Sequence, residues 1–150
     1  MDVIATKITF SFSVHATEVL QKNMDALANL TKGVNHEHAT VNKSPLEGGY
    51  GNPIKFVEVS FAKPNSIEKI INFLSSRLSE KEKEHLGLEF ENRFDFKKKN
   101  FHLRFEKNAL LEDKLILTDS ANIIKLTIRL RAFTKQISFK DFLREKGIIK

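Results

Sequence analysis

The residues best suited to chemistry are cations that recur along one side of a predicted strand. Lys125, Arg129 and Arg131 lie on the same side of residues 123–133, because alternate residues of a strand point the same way. Side chains on one face of a strand repeat at roughly 6–7 Å, comparable to the separation of phosphates along a nucleic-acid backbone. The pattern predicts a surface that follows a polyanion. A solvated sheet face, whose charges prevent edge pairing, is the simpler alternative.

A second set of polar residues belongs to the strand predicted for residues 101–107. His102, Arg104 and Glu106 alternate with apolar residues there, and a basic turn at residues 97–99 precedes them. If the two strands are neighbours, their cations form one phosphate-binding surface. The predicted binding residues on these segments are Lys97, Lys98, Lys99, His102, Arg104, Lys107, Lys125, Arg129 and Arg131.

The same strand allows a catalytic alternative, in which His102, Arg104 and Glu106 act as acid, anion clamp and base. His15 could join them. However, single His and Glu residues are common on surface strands without any activity, and the sequence has no cysteine nucleophile. We therefore expect no catalytic residue, cofactor or metal site. A hydrolase that uses His102 and Glu106 remains the alternative.

A glycine-rich segment precedes another predicted strand. Half of the six glycines lie at positions 48, 49 and 51, and Pro53 fixes the backbone just after them. This composition predicts a shaped loop in which at least one glycine has positive φ, or else a plain hairpin connection. Its spacing is not that of a P-loop. The candidate nucleic-acid contacts in the loop are Gly49, Tyr50 and Asn52, of which Tyr50 is the obvious stacking residue.

The pair His36 and His38 raises the question of a metal site. Alternate residues of a strand could place both imidazoles on one side, but no third convergent ligand is visible and zinc sites need at least three. A surface edge strand is the favoured interpretation.

Composition and charge narrow the function classes. The chain has 150 residues, of which 41% are hydrophobic and 29% charged, which predicts a single globular domain over residues 1–150. Its lack of cysteine, of a signal pattern and of a bilayer-length apolar run favours a cytoplasmic protein without membrane association.

The net charge of +6 is concentrated late in the chain. Residues 1–95 carry 11 Lys/Arg against 13 Asp/Glu, and residues 96–150 carry 14 against 6. The balances of −2 and +8 favour a polyanionic partner, nucleic acid before a membrane surface.

Hydrophobic periodicity predicts the elements that must position these residues. Strands are predicted at residues 7–15, 54–62, 101–107, 115–118 and 123–133. Helices are predicted to begin at the caps Thr17, Asn65, Ser79 and Ser138, with a further helix over residues 86–96. Gly33 is predicted to end the first helix, and a change of phase between Phe56 and Val57 predicts a bulge or burial on both faces. Together they predict an α+β domain with a mixed or antiparallel sheet and helices packed mainly on one face.

Several segments together resemble a known family. They are residues 15–18 (His-Ala-Thr-Glu), 48–54 and 103–107, and the strand at residues 123–130 after Asp119. The sequence resembles the archaeal RNA-binding proteins described as predicted exosome subunits, which share the fold of the ribosomal protein that binds 5S ribosomal RNA. The resemblance implies non-catalytic binding of structured RNA, with an exosome- or ribosome-related complex as partner. An assembly subunit, such as a homodimer, is the other alternative.

Overall fold

The computed structural model describes residues 3–47, 53–133 and 138–150. Within these ranges the strands form a six-stranded sheet in the order β2-β3-β1-β6-β5-β4, and all neighbouring pairs are antiparallel. The strands are β1 (Val3–Val14), β2 (Ala39–Glu47), β3 (Pro53–Phe61), β4 (Phe94–Asp95), β5 (Asn100–Glu106) and β6 (Ile123–Ala132).

Helices and sheet share one apolar core. The helices are α1 (Leu20–Ala28), α2 (Pro64–Arg77), α3 (Glu80–Leu88), α4 (Phe90–Arg93), α5 (Lys107–Leu111) and α6 (Phe139–Glu145). Alternate strand residues such as Phe10, Val59, Leu103 and Leu126 are at most 1% exposed, and they belong to the same cluster as buried helix residues such as Ile70. The predicted α+β architecture, with helices on one face of an antiparallel sheet, is confirmed.

The side of the sheet turned away from the helices carries the polar residues of the same strands. Thr9 in β1 and Thr127 in β6 lie opposite each other and keep part of their surface exposed. Because the alternation has a period of two, burying the apolar residues on one side places these polar residues on the other.

The predicted bulge at Phe56 and Val57 is absent, because β3 pairs with both neighbours without a register shift. Phe56 is instead partly buried on the polar side of the sheet, which is the second of the two predicted explanations. The irregularity lies in β1, between Ala5 and Lys7. It resets the alternation, so that Lys7 turns towards the polar side.

Two of the four predicted helix starts are confirmed. The Ser79 side chain accepts from the N–H of Glu82, whose carboxylate accepts from the N–H of Ser79. Ser138 accepts from the N–H of Asp141. The Asn65 prediction is wrong because α2 already begins at Pro64, a residue preorganised for the first helical position. The Thr17 prediction is also wrong, since α1 begins after Val19 without a side-chain cap.

Three other predictions are only partly met. Gly33 has a φ of +80° but lies in a turn beyond α1, which ends at Ala28. The helix predicted over residues 86–96 is divided between the end of α3, the short α4 and β4. In place of a strand at residues 115–118, Leu117 forms an isolated bridge with Phe105.

No helix in the described ranges is long and apolar enough to cross a membrane.

Candidate nucleic-acid interface

The polar side of the sheet is organised in rows that run across the strands. Directly opposite residues share a face, so the pairing registers define which side chains are neighbours. One row contains Thr40, Ser60, Thr9, Thr127 and His102, and the next contains Asn42, Glu58, Ser11, Lys125 and Arg104. A third contains Lys7, Arg129 and Asn100, and Arg131 follows it on β6. We call the surface formed by these residues the open face.

Like charges oppose each other on the open face. Lys7 on β1 lies directly opposite Arg129 on β6, and Lys125 on β6 lies directly opposite Arg104 on β5. Opposite residues of an antiparallel pair have Cβ atoms about 4.5–5.5 Å apart, and like charges in such positions destabilise a sheet. Among the described residues none of these four cations forms an ion pair. Their shared field is therefore available to an anion.

The predicted basic turn at residues 97–99 connects β4 to β5 and is held rigidly. Asp95 Oδ1 accepts from the N–H groups of Lys97 at 2.9 Å and Lys98 at 3.0 Å. The backbone carbonyl of Asp95 accepts from the N–H of Lys99, and the carbonyl of Lys99 accepts from the N–H of Leu130 at 2.8 Å. All three lysine side chains are exposed, so the turn presents three ammonium groups beside the open face.

The carboxylate that organises this turn is itself stabilised in its charged form. The N–H of Lys98 has the largest effect and lowers the pKa of Asp95, burial opposes it, and the N–H of Lys97 lowers the pKa further. The hydrogen bonds of the turn therefore favour the charged carboxylate that accepts them.

His102 is a partly buried hydrogen-bonding group of the open face. Its Nδ1 lies 3.0 Å from Thr127 Oγ1. Burial lowers the pKa of His102 below its ordinary value of 6.5, and the charges of Lys125 and Lys98 lower it further against the opposing effect of Asp95. In the strand register His102 lies directly opposite Thr127, so Lys125 is in the neighbouring row of the open face.

The arrangement of His102 and Glu106 does not resemble an acid–base pair. They are separated by four residues on one strand, which corresponds to about 13 Å. General acid–base catalysis needs both groups within hydrogen-bond reach of the reacting atoms. Arg104 lies between them, and one of its N–H groups donates to the carbonyl of Ser120 at 3.0 Å.

Lys107 does not lie on the open face, contrary to the sequence prediction. It is the first residue of α5 and is 5% exposed. Its ammonium donates to the carbonyl of Ser13 at 3.0 Å and to Glu18 Oε2 at 3.2 Å. Burial alone would raise the pKa of Glu18, but the N–H of His15 and the Lys107 charge outweigh it and hold that pKa below 4.5. Lys107 therefore stabilises the fold by joining α5 to the end of β1.

The candidate contacts Gly49, Tyr50 and Asn52 lie outside the described residues, as do the three glycines predicted to include a positive φ. The strands on either side, β2 and β3, pair along their whole length from Glu47 and Pro53 to Ala39 and Phe61. Residues 48–52 thus connect the two strands of an antiparallel pair, and their contribution to binding stays a prediction.

The two histidines considered as a metal pair lie in a 3₁₀ turn, His36–His38, and not in a strand. His36 Nε2 lies 2.7 Å from Thr31 Oγ1. In residues 3–47, 53–133 and 138–150, no three His, Asp or Glu side chains converge as metal ligands would.

Sequence reasoning missed two residues of the surface. Lys7 shares parity with the polar residues of β1, but its position opposite Arg129 depends on which strand is its neighbour. Phe133 follows the open face at the end of β6 and is 55% exposed. Its position two residues after Arg131, at the alternate spacing of a strand, is the signal that could have placed it on this face.

Comparison with known proteins identifies the family. A family model described as RNA binding matches residues 7–130. The chain belongs to this RNA-binding family. The matched range includes β2, β3 and β5 completely, β1 from Lys7 onward and β6 up to Leu130.

Several relatives of this RNA-binding family member come from archaea. RNA-binding protein PAB1135 of Pyrococcus abyssi is 26% identical over 121 residues, which cover 80% of this chain and 78% of that protein. The crystal structure of protein AF2318 from Archaeglobus fulgidus, of the DUF54 family model, superposes with a TM-score of 0.81 at 26% identity and covers 95% of this chain and 99% of that one. Mth689, a DUF54 protein from Methanothermobacter thermautotrophicus, shares the fold with a TM-score of 0.73, at 22% identity and coverage of 97% and 98%.

Replacing Lys99 with Gly is expected to separate folding from RNA binding. Lys99 has a φ of +58°, a left-handed conformation that costs a residue with a Cβ atom about 1–2 kcal/mol. Glycine adopts it freely but adds entropy to the unfolded chain. We expect the free energy of unfolding in urea to stay unchanged or to rise by up to about 1 kcal/mol. RNA affinity should fall roughly fivefold for the loss of one phosphate contact.

Lys98→Gly provides the matched control, because Lys98 is not among the residues with positive φ. It removes an equal charge from the same turn, but it relieves no backbone strain because Lys98 does not have a positive φ. It should therefore lower both the free energy of unfolding and the RNA affinity. Equal destabilisation by the two substitutions would contradict the strain assigned to Lys99.

Proposed function

We propose that this protein binds structured RNA through the open face, by contacts to phosphates and ribose hydroxyls, and that it catalyses no reaction. The observation that carries the proposal is that two like-charged pairs, Lys7 with Arg129 and Lys125 with Arg104, lie directly opposite each other in the strand register. Folding gains nothing from these arrangements. A polyanion placed over them would turn a repulsion into four favourable interactions.

The exposure of the cations on and beside the open face also supports RNA binding there. The helices pack on the other side of the sheet, and Arg129, Arg131 and the lysines of residues 97–99 are exposed. Together with Lys7 on β1, these cations lie on three adjacent parts of the molecule: β1, β6 and the β4–β5 turn. They form a strip that a phosphate backbone can follow without a rearrangement of the fold.

A row of hydroxyl groups, the hydroxyl row, lies between the two like-charged pairs, because Thr127 stands between Lys125 and Arg129 on β6. Thr9 Oγ1 lies 3.0 Å from Ser60 Oγ, and Thr127 Oγ1 lies 3.0 Å from His102 Nδ1. Hydroxyl groups can both donate and accept, as can the ribose 2′-OH that distinguishes RNA from DNA. We assign the basic strip to phosphates and the adjoining hydroxyl row to riboses, a division that suits recognition of RNA shape over recognition of base sequence.

We also propose that the protein associates with an exosome- or ribosome-related complex and is related in fold to the ribosomal protein that binds 5S rRNA. Gly49, Tyr50 and Asn52 are proposed as further RNA contacts. Homodimerisation through the open face is disfavoured by its cations, because two copies would bring like charges together.

The proposal predicts which lysines RNA will shield from chemical modification. The protein would be acetylated with and without an RNA hairpin, and each site quantified by mass spectrometry. Lys7, Lys97, Lys98, Lys99 and Lys125 should lose reactivity in the complex. The exposed helix residues Lys22 and Lys81 should react as before, because they lie on the helical side of the core.

Protection of Lys22 and Lys81, with unchanged reactivity on the open face, would move the RNA to the helical side and overturn the proposal. A protein that showed no binding to the hairpin at low salt would overturn it as well.

A further inference from the structure

An exposed aromatic ring lies at the end of the open face. Phe133 directly follows β6 and is 55% exposed. The guanidinium carbon of Arg131 lies 5.1 Å from the centre of its ring, which fixes the ring on the same side as Arg131. A large exposed apolar side chain among cations is not explained by folding, because it removes little apolar surface from water.

The surroundings of Phe133 are basic. Arg131 and Arg129 precede it at alternate positions on the exposed side of β6, Lys7 lies opposite Arg129, and Lys99 accepts a backbone bond from Leu130. Ile4, directly opposite Arg131, is 38% exposed and adds a small apolar area. The end of the open face thus combines an aromatic surface with several cations at a repeat of roughly 6–7 Å along the strand.

A nucleotide with an unpaired base presents the complementary chemistry. Its base is a flat aromatic surface, and its phosphates carry negative charge at a similar repeat. Proteins that hold single strands combine aromatic platforms for bases with basic tracks for phosphates. A peptide segment of comparable shape would need acidic residues placed against each cation. A second copy of this chain would bring further cations to the same place.

We propose that Phe133 stacks an unpaired base of the bound RNA, and that Arg131 supports the ring and contacts an adjoining phosphate. The RNA ligand would then have a single-stranded segment leaving its duplex at this end of the open face. The inference rests on the proposed RNA-binding function and narrows its ligand to RNA with a duplex–single-strand junction.

The test compares two RNAs on the same protein. One is a blunt-ended hairpin and the other is that hairpin with an unpaired uridine tail, made with the tail at either end. We expect one tailed hairpin to bind at least tenfold more tightly than the blunt one. Phe133→Leu should remove about tenfold of that affinity, in the range expected for one lost base stack, and leave blunt-hairpin affinity within about twofold. Phe133→Trp should retain the preference.

Phe96→Leu is the matched control. Phe96 is similarly exposed, at 60%, but its ring packs edge-on against Phe90 and Phe94 on the helical side. This substitution should leave both affinities and their ratio unchanged. Melting temperature and sedimentation of Phe133→Leu should match those of the unchanged protein, because the ring is exposed.

Four results would overturn the inference. They are equal binding of tailed and blunt hairpins, an equal loss for both RNAs in Phe133→Leu, no loss in that variant, and dissociation of a dimer by it. In the first three the protein still binds RNA, so the proposed function stands while the stacking site fails. Failure to bind either hairpin would overturn both the proposed function and the stacking site.

Discussion

Changing Arg129 and Arg131 to Gln together should weaken RNA binding by roughly 10- to 50-fold at about 0.1 M salt. The estimate assumes one phosphate contact per arginine, each of which contributes through release of a bound counterion. Both side chains are exposed on the same side of β6, so the loss should be similar for RNAs of different sequence. Fluorescence anisotropy with several labelled hairpins measures it.

Folding should tolerate this double substitution. Exposed charges contribute little to stability, and removal of Arg129 relieves its repulsion with Lys7 on the opposite strand. We expect a free energy of unfolding that is unchanged or higher by a few tenths of a kcal/mol. Lys22→Gln with Lys81→Gln removes the same charge from the helical side and should leave RNA affinity within about twofold. Equal weakening by both pairs would show that net charge alone, and not the open face, governs binding.

Replacing Lys107 with Met should lower the free energy of unfolding by about 2–3 kcal/mol. The Lys107 side chain is 6% exposed and pairs with Glu18, which is 26% exposed. Removing one partner of a buried ion pair typically costs about 3–5 kcal/mol, because the other charge is left without compensation. The partial exposure of Glu18 reduces that cost. The Ser13 carbonyl also loses its bond to the ammonium group.

Lys114→Met is the control for this prediction. Lys114 pairs with Glu112 at the surface, where the two side chains are 66% and 72% exposed, so its loss should cost less than about 0.5 kcal/mol. Urea denaturation measures both variants. A Lys107→Met protein as stable as Lys114→Met would refute the structural role of the Lys107–Glu18 pair.

The stability that the Lys107–Glu18 pair contributes should depend on pH in a defined direction. The folded-state pKa of Glu18 lies below its ordinary value of 4.5, so the unfolded chain binds more protons in that range. The stability contributed by Glu18 is complete above the unfolded pKa and is lost as pH falls through the folded one. In Lys107→Met the pKa of folded Glu18 is no longer lowered by the lysine charge. Its free energy of unfolding should therefore fall less steeply as pH decreases through this range.

The sequence was sufficient for four of the five strands that build the open face, and β2 (Ala39–Glu47) is the exception. Alternation of apolar and polar residues located β1, β3, β5 and β6, and it separated Arg129 and Arg131 from the buried Leu130. It worked because one face of each strand is buried and the period of two is strict. The Ser79 capping box was also readable, since it depends on residues three positions apart.

The features that the sequence did not predict depend on contacts between distant parts of the chain. Lys107 directly follows β5 in sequence, but its backbone enters a helix and its ammonium reaches Glu18, 89 residues away. Only the pairing of β1 with β6 places Lys7 directly opposite Arg129. Local periodicity contains no information on either point. The predicted Asn65 cap lies two residues beyond the observed N-cap, Lys63, because Pro64 can itself begin a helix.

The dependence of RNA affinity on salt tests the central claim most directly. If phosphates bind the cations of the open face, the logarithm of the association constant should fall linearly with the logarithm of salt concentration, at roughly 0.7–0.9 per phosphate neutralised. The slope for Arg129→Gln with Arg131→Gln should be smaller by about 1.4–1.8, whereas Lys22→Gln with Lys81→Gln should keep the slope of the unchanged protein. An affinity that hardly changes with salt, or equal slopes for the unchanged protein and the double arginine variant, would contradict RNA binding through the open face.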